Sequence, residues 1–72
     1  MSKLPVVKPK EVLKALHRAG FVEVRSKGSH SQLKRGNLLV TVPIHNRDLT
    51  LETLKSILRQ ARITGDELRE LL

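Results

Sequence analysis

Apolar positions along the chain follow two different periods. From Lys10 to Ala19, the residues Val12, Leu13, Leu16 and Ala19 gather on one side of a helix, with Lys10, Lys14 and Arg18 on the other. Pro9 suits the first helical turn, where a missing N–H costs nothing, and Gly20 suits the C-terminal cap. The period then drops to two. Phe21–Arg25 alternates Val22 and Val24 with Glu23 and Arg25. Ser29–Lys34 sets Ser29, Ser31 and Leu33 against His30, Gln32 and Lys34, and Leu38–Val42 puts Leu38, Val40 and Val42 on one face. Ser26-Lys27-Gly28 and Arg35-Gly36-Asn37 supply the turns between these strands, and Pro43 ends the last one.

Helical spacing returns after Thr50, an expected N-cap. Leu51, Leu54, Ile57, Leu58 and Ala61 form a broad apolar stripe, with Lys55, Arg59 and Arg62 off it. Thr64-Gly65-Asp66-Glu67 is a capping box, which predicts a short last helix packing Leu68 and Leu71. The expected fold is a single α+β domain of order α-β-β-β-α. Its three-stranded antiparallel sheet is covered on one face by two helices, with a short C-terminal helix added and the other face in water.

The length of 72 residues limits the chain to one small domain, here divided into an N-terminal arm over 1–8 and a domain over 9–72. No cysteine is present, which excludes disulfides and Cys-based metal sites and suits a reducing cytoplasm. No apolar run approaches a membrane span, so a soluble, cytoplasmic protein is expected. Charge changes the picture most. The net charge is +7, and it is concentrated in residues 1–47, which hold ten bases against two acids. That asymmetry is the footprint of a polyanion binder. The single aromatic, Phe21, excludes a base-stacking platform, and no helix-turn-helix is readable.

Three histidines are the candidates for chemistry. Their spacing matches no metal-ligand pair and no carboxylates are grouped with them, so no metal and no cofactor is expected. His17 reads as a helix-edge residue, and His45 as a cap or phosphate contact between strand and helix. His30 differs. With Leu33 in the core, His30 shares the solvent face with Gln32 and Lys34, ringed by Arg25, Lys27 and Lys34. Metal-free RNA cleavage needs a base for the ribose 2′-OH and cations for the charge that builds on the phosphate, and histidine is suited to the first task. Ser29, read as pointing to the opposite face of the same strand, forms no triad with it. A non-catalytic RNA-binding module and a basic protein-interaction domain are the alternatives from residues alone.

Four elements in order carry a resemblance: Leu16-His17-Arg18-Ala19-Gly20-Phe21, Lys27-Gly28-Ser29-His30, Thr41-Val42-Pro43-Ile44-His45 and Leu54-Lys55-Ser56-Ile57-Leu58-Arg59-Gln60-Ala61. Over residues 10 to about 70 the chain resembles the HicA toxins of toxin–antitoxin modules, small basic proteins that cleave mRNA. The resemblance implies the fold of double-stranded-RNA-binding domains, His30 as the catalytic residue, and neutralisation by a HicB-type antitoxin. Beyond His30 the expected RNA contacts rest on proximity in the strand reading: Arg25, Lys27 and Lys34 for phosphate, with Ser29 and Gly28 of the same turn, Gly28 by letting the backbone come close. Two departures stand out: Arg62 occupies a position where the family usually has glycine, and the turn at 35–37 is short.

Overall fold

A computed structural model describes residues 4–72, so Met1 to Lys3 of the expected arm lie outside the described residues. The elements are α1 (Pro9–Arg18), β1 (Val22–Lys27), β2 (His30–Arg35), β3 (Leu38–Pro43), α2 (Leu51–Ala61) and α3 (Gly65–Leu71). The strands form one antiparallel sheet in the order β1-β2-β3. α1 and α2 pack against β3 on one side of it, and α3 lies against α1. This is the expected α+β architecture.

Pro9 opens α1 at its first turn, and the Glu11 carboxylate accepts the Lys8 N–H at 2.8 Å. The helix ends in a Schellman closure: Gly20 adopts φ 97°, its N–H reaches His17 O at 3.0 Å, and Phe21 N–H reaches Leu16 O at 2.9 Å. That closure swings Phe21 into the core. α2 ends in the same way, with Arg62 N–H on Arg59 O at 3.2 Å and Ile63 N–H on Leu58 O at 3.0 Å. Here the left-handed residue is Arg62 at φ 56°, a conformation that an L side chain resists. The departure from glycine at this position therefore leaves a strained cap.

Val12, Ala15 and Leu16 of α1 meet Leu33, Val40 and Val42 of the sheet and Leu54, Ile57 and Ala61 of α2 in one core. Leu51, expected on the apolar stripe of α2, is exposed instead; it opens the helix right after the Thr50 cap, on its flank. The described part of the arm is tied down. Val7 is buried, and its carbonyl accepts the Leu49 N–H at 2.8 Å.

Strand limits differ from the expected ones at the first hairpin. β1 runs on through Lys27, the turn is Gly28-Ser29, and β2 starts at His30. Gly28 at φ 59°, followed by a residue of negative φ, is the glycine-first arrangement of a two-residue hairpin turn. β3 also includes Pro43, which pairs opposite His30 at the sheet's edge.

Candidate functional site

One side of the sheet is left open by the helices. Three rows of residues cross it: Lys27, His30 and Pro43 at the turn end, then Arg25, Gln32 and Thr41, then Val22, Lys34 and Leu39. Alternation on β2 places them there, because Ser31 and Leu33 are fully buried on the helix side. Arg25, Lys27, His30 and Gln32 line a shallow concavity of about 340 Å³. His30 is exposed in it. Among the described residues neither Arg25 nor Lys27 is paired with a carboxylate, so their charge is directed to solvent.

A bulge on β1 is what assembles this cluster. The register runs Glu23 opposite Leu33, then Arg25 opposite Gln32, leaving Val24 as the extra residue. Strict alternation, as read from the sequence, puts Glu23 and Arg25 on one face. The bulge separates them: Glu23 stays on the helix side and accepts a hydrogen bond from the Ser31 hydroxyl, while Arg25 joins His30. Gln32 belongs to the concavity and was not among the expected site residues, although its place on the His30 face was readable from the alternation.

The other expected residues fall as follows. Ser29 sits in the turn rather than on the strand, so the expectation that it faces away from His30 is corrected: its Oγ lies 3.4 Å from His30 Nδ1. Gly28 would place an added Cβ in open space, so its backbone is accessible from outside. Lys34 shares the open face but stands four residues along β2, about 13 Å from His30 at the strand rise, and does not line the concavity. His17 is engaged at the end of α1, with Nδ1 3.2 Å from Phe21 O. His45 accepts the Arg47 N–H on Nδ1 at 3.1 Å, which makes it a local cap in the β3–α2 connection.

No group of three or more His, Cys, Asp or Glu side chains able to hold a metal occurs among the described residues. None of their helices is long and apolar enough to cross a membrane. Glu67 is held below the usual carboxylate range, first by the Thr64 backbone N–H at 2.9 Å and then by the Thr64 side chain, against an opposing effect of desolvation, with the nearby Arg35 charge the least of the causes.

No curated protein matches the chain in sequence. A family model described as the HicA toxin of bacterial toxin–antitoxin systems matches residues 9–63, from the first turn of α1 through the cap of α2. That span contains the whole sheet, the Lys27-Gly28-Ser29-His30 turn and both helices that cover the sheet. The strand order and covering helices agree with the double-stranded-RNA-binding-domain arrangement expected of such a protein. The chain therefore belongs to the HicA toxin family of toxin–antitoxin systems.

Proposed function

We propose that this HicA-family protein is a metal-independent endoribonuclease toxin that cleaves mRNA in the cytoplasm and so inhibits translation. The observation that carries the reading is the placement of an exposed histidine, His30, beside two unpaired cations of β1, Lys27 directly opposite it and Arg25 in the next row, on an open sheet face. In the tautomer that carries its proton on Nδ1, facing Ser29 Oγ 3.4 Å away, His30 keeps Nε2 free to take the proton of a ribose 2′-OH. The 2′-oxygen then forms a bond to phosphorus as the P–O5′ bond breaks. The imidazolium of His30 returns that proton to the departing 5′-oxygen, which leaves a 2′,3′-cyclic phosphate, a 5′-hydroxyl and the neutral histidine. Arg25 and Lys27 offset the charge that accumulates on the phosphate oxygens. Gly28 and Ser29 present the turn backbone to the same strand of RNA, and Lys34 contacts a phosphate farther along it. A HicB-type antitoxin carrying acidic residues would neutralise the protein by covering this face. Residues 9–72 form the working domain in this reading, with the described part of the arm docked through Val7.

The test is single-turnover cleavage of a labelled mRNA with EDTA present, comparing the wild type with His30→Ala. The expected result is a loss of about 10²- to 10⁴-fold in rate with RNA affinity and its salt dependence retained. Equal cutting by both proteins would overturn the assignment of His30. Salt-dependent binding with no cutting by either would identify a non-catalytic RNA-binding module.

A further inference from the structure

The pairing of β2 with β3 runs one step past the end of the strands. Pro43 pairs with His30, and the next residue, Ile44, donates its N–H to the Ser29 carbonyl in the turn before β2. Side-chain alternation continues with it. Val42 is buried, Pro43 shares the open side with His30, and Ile44 packs against the core. His45 comes next in that order, which puts it on the open side. It stands two residues beyond the partner of His30, in the diagonal position. Such neighbours lie about 7–8 Å apart between Cα atoms, within reach of aromatic and long side chains. His45 does not line the concavity and lies past β3, in the connection to α2. It flanks His30 from the side opposite to the β1 cations Arg25 and Lys27.

The cap in this connection also fixes which nitrogen of His45 carries hydrogen. Nδ1 accepts the Arg47 N–H at 3.1 Å, so the neutral imidazole has its hydrogen on Nε2. Nε2 has no partner among the described residues, and the side chain is exposed. This is the reverse of His30, whose Nε2 has to be bare to take a proton. Neighbouring positions of one face thus offer an acceptor and a donor. We propose that His45 is a second catalytic residue, whose Nε2–H hydrogen-bonds a non-bridging oxygen of the scissile phosphate as charge builds there. It keeps its hydrogen throughout. The proton that moves is the one that His30 takes from the 2′-OH and returns to the 5′-oxygen. The inference rests on the ribonuclease reading above for its reaction.

The cap and the donor belong to different ring nitrogens, so two substitutions separate them. His45→Asn keeps an oxygen near the place of Nδ1 for the Arg47 N–H and has nothing at Nε2. His45→Gln extends an amide N–H toward the place of Nε2 and gives up the cap. The measurement is steady-state cleavage of a labelled RNA with EDTA present. His45→Ala and His45→Asn are expected to lower kcat about 10-fold or more with KM little changed, and His45→Gln to recover much of the loss. The slope of log affinity against log salt should keep its wild-type value in all three, because the donor is uncharged. In NMR of the free protein the ring hydrogen of His45 should reside on Nε2. That nitrogen should shift when a 2′-fluoro oligonucleotide, which has no 2′-OH to attack, is added. Rescue by His45→Asn rather than His45→Gln would reduce His45 to its cap and overturn the proposal. So would a rise in KM with kcat unchanged, or a slope lowered by about 0.7, the mark of a charged phosphate contact. If His45→Ala does not fold, the other two variants decide. Full activity in every variant would defeat this inference and leave the ribonuclease reading intact. A wild type that binds RNA without cutting would defeat that reading, while the Nε2 signal still decides whether His45 meets the RNA. One that neither binds nor cuts would defeat both.

Discussion

The two edges of the sheet are built to opposite specifications. β3 packs against α2, buries Val40 and Val42 completely, and has an edge amide, Thr41 N–H, capped by the Gln60 side chain at 3.0 Å. Gln60 is steadied in turn by donating to Ser56 at 3.1 Å. β1 is exposed along its whole length, is broken by a bulge, and leaves Val22 62% and Val24 55% accessible. An open strand edge invites unwanted pairing, and a bulge with flanking cations is a common protection against it. Here the same two features also furnish Arg25 and Lys27 to the concavity. The edge that contributes most to stability carries none of the candidate chemistry, and the edge with the chemistry contributes little to the core. A residue on one edge should accordingly be changeable without much effect on what the other does.

The largest effect that tests this division is Leu54→Ala. Leu54 is buried in α2 beneath β3, and truncating such a leucine costs about 2–5 kcal/mol. A domain of 72 residues has roughly 4–11 kcal/mol in total, so chemical denaturation should show a large fall in the midpoint. The molecules that remain folded at low temperature should still bind RNA with the wild-type salt slope. A changed slope in that folded fraction would mean that the core and the concavity are coupled, and the division would fail.

The sequence was informative where a single period runs without interruption. All three helices, the caps at Thr50 and Thr64, and the burial of Leu33, Val40 and Val42 follow from spacing alone. The open face of β2, and with it the exposure of His30, follows from the burial of Leu33. The bulge was not legible, because counting alternate residues assumes that no residue is extra. Val22-Glu23-Val24-Arg25 alternates well as a plain strand, and the signal against that reading is long-range: the conflict between a core Phe21 and a turn-bound Lys27. The place of Ser29 is hidden for a related reason. A Gly-Ser turn and a strand beginning at Ser29 have the same local composition, and only the pairing of Lys27 with His30 separates them.

A smaller effect, of opposite sign, is expected at the end of α2. α1 and α2 close with the same pair of backbone hydrogen bonds, but Gly20 supplies the left-handed residue in one and Arg62 in the other. Arg62→Gly should relieve the strain and stabilise the protein by about 1 kcal/mol, which for a domain of this size raises Tm by roughly 4–8 °C. Arg62 does not line the His30 concavity. RNA affinity and its salt slope should be unchanged, which thermal melts and binding on the same sample would establish. A lower slope would extend the RNA footprint to the helical side and blur the contrast between the two edges.

The smallest effect concerns acid. Glu67 caps α3 reciprocally with Thr64, accepting the Thr64 N–H while its own N–H donates to the Thr64 hydroxyl at 3.1 Å. Those bonds and the Arg35 charge favour the carboxylate, so its pKa is lower in the folded protein than in the unfolded chain. A depressed carboxyl pKa contributes stability that is complete above the unfolded value of about 4.3 and is lost as pH falls through the lower, folded value. Tm should thus decline on acidification within that acidic window. Glu67→Gln, which retains an acceptor for the Thr64 N–H but no charge, should make the decline shallower and leave Tm at neutral pH slightly lower. Because Glu67 is fully exposed, the change is expected to be slight. It should also be confined to stability: α3 lies against α1, away from the rows that carry His30, so RNA binding by the two proteins should match at neutral pH. A wild-type Tm as flat with pH as that of Glu67→Gln would remove the cap from the account of what holds the helical side together.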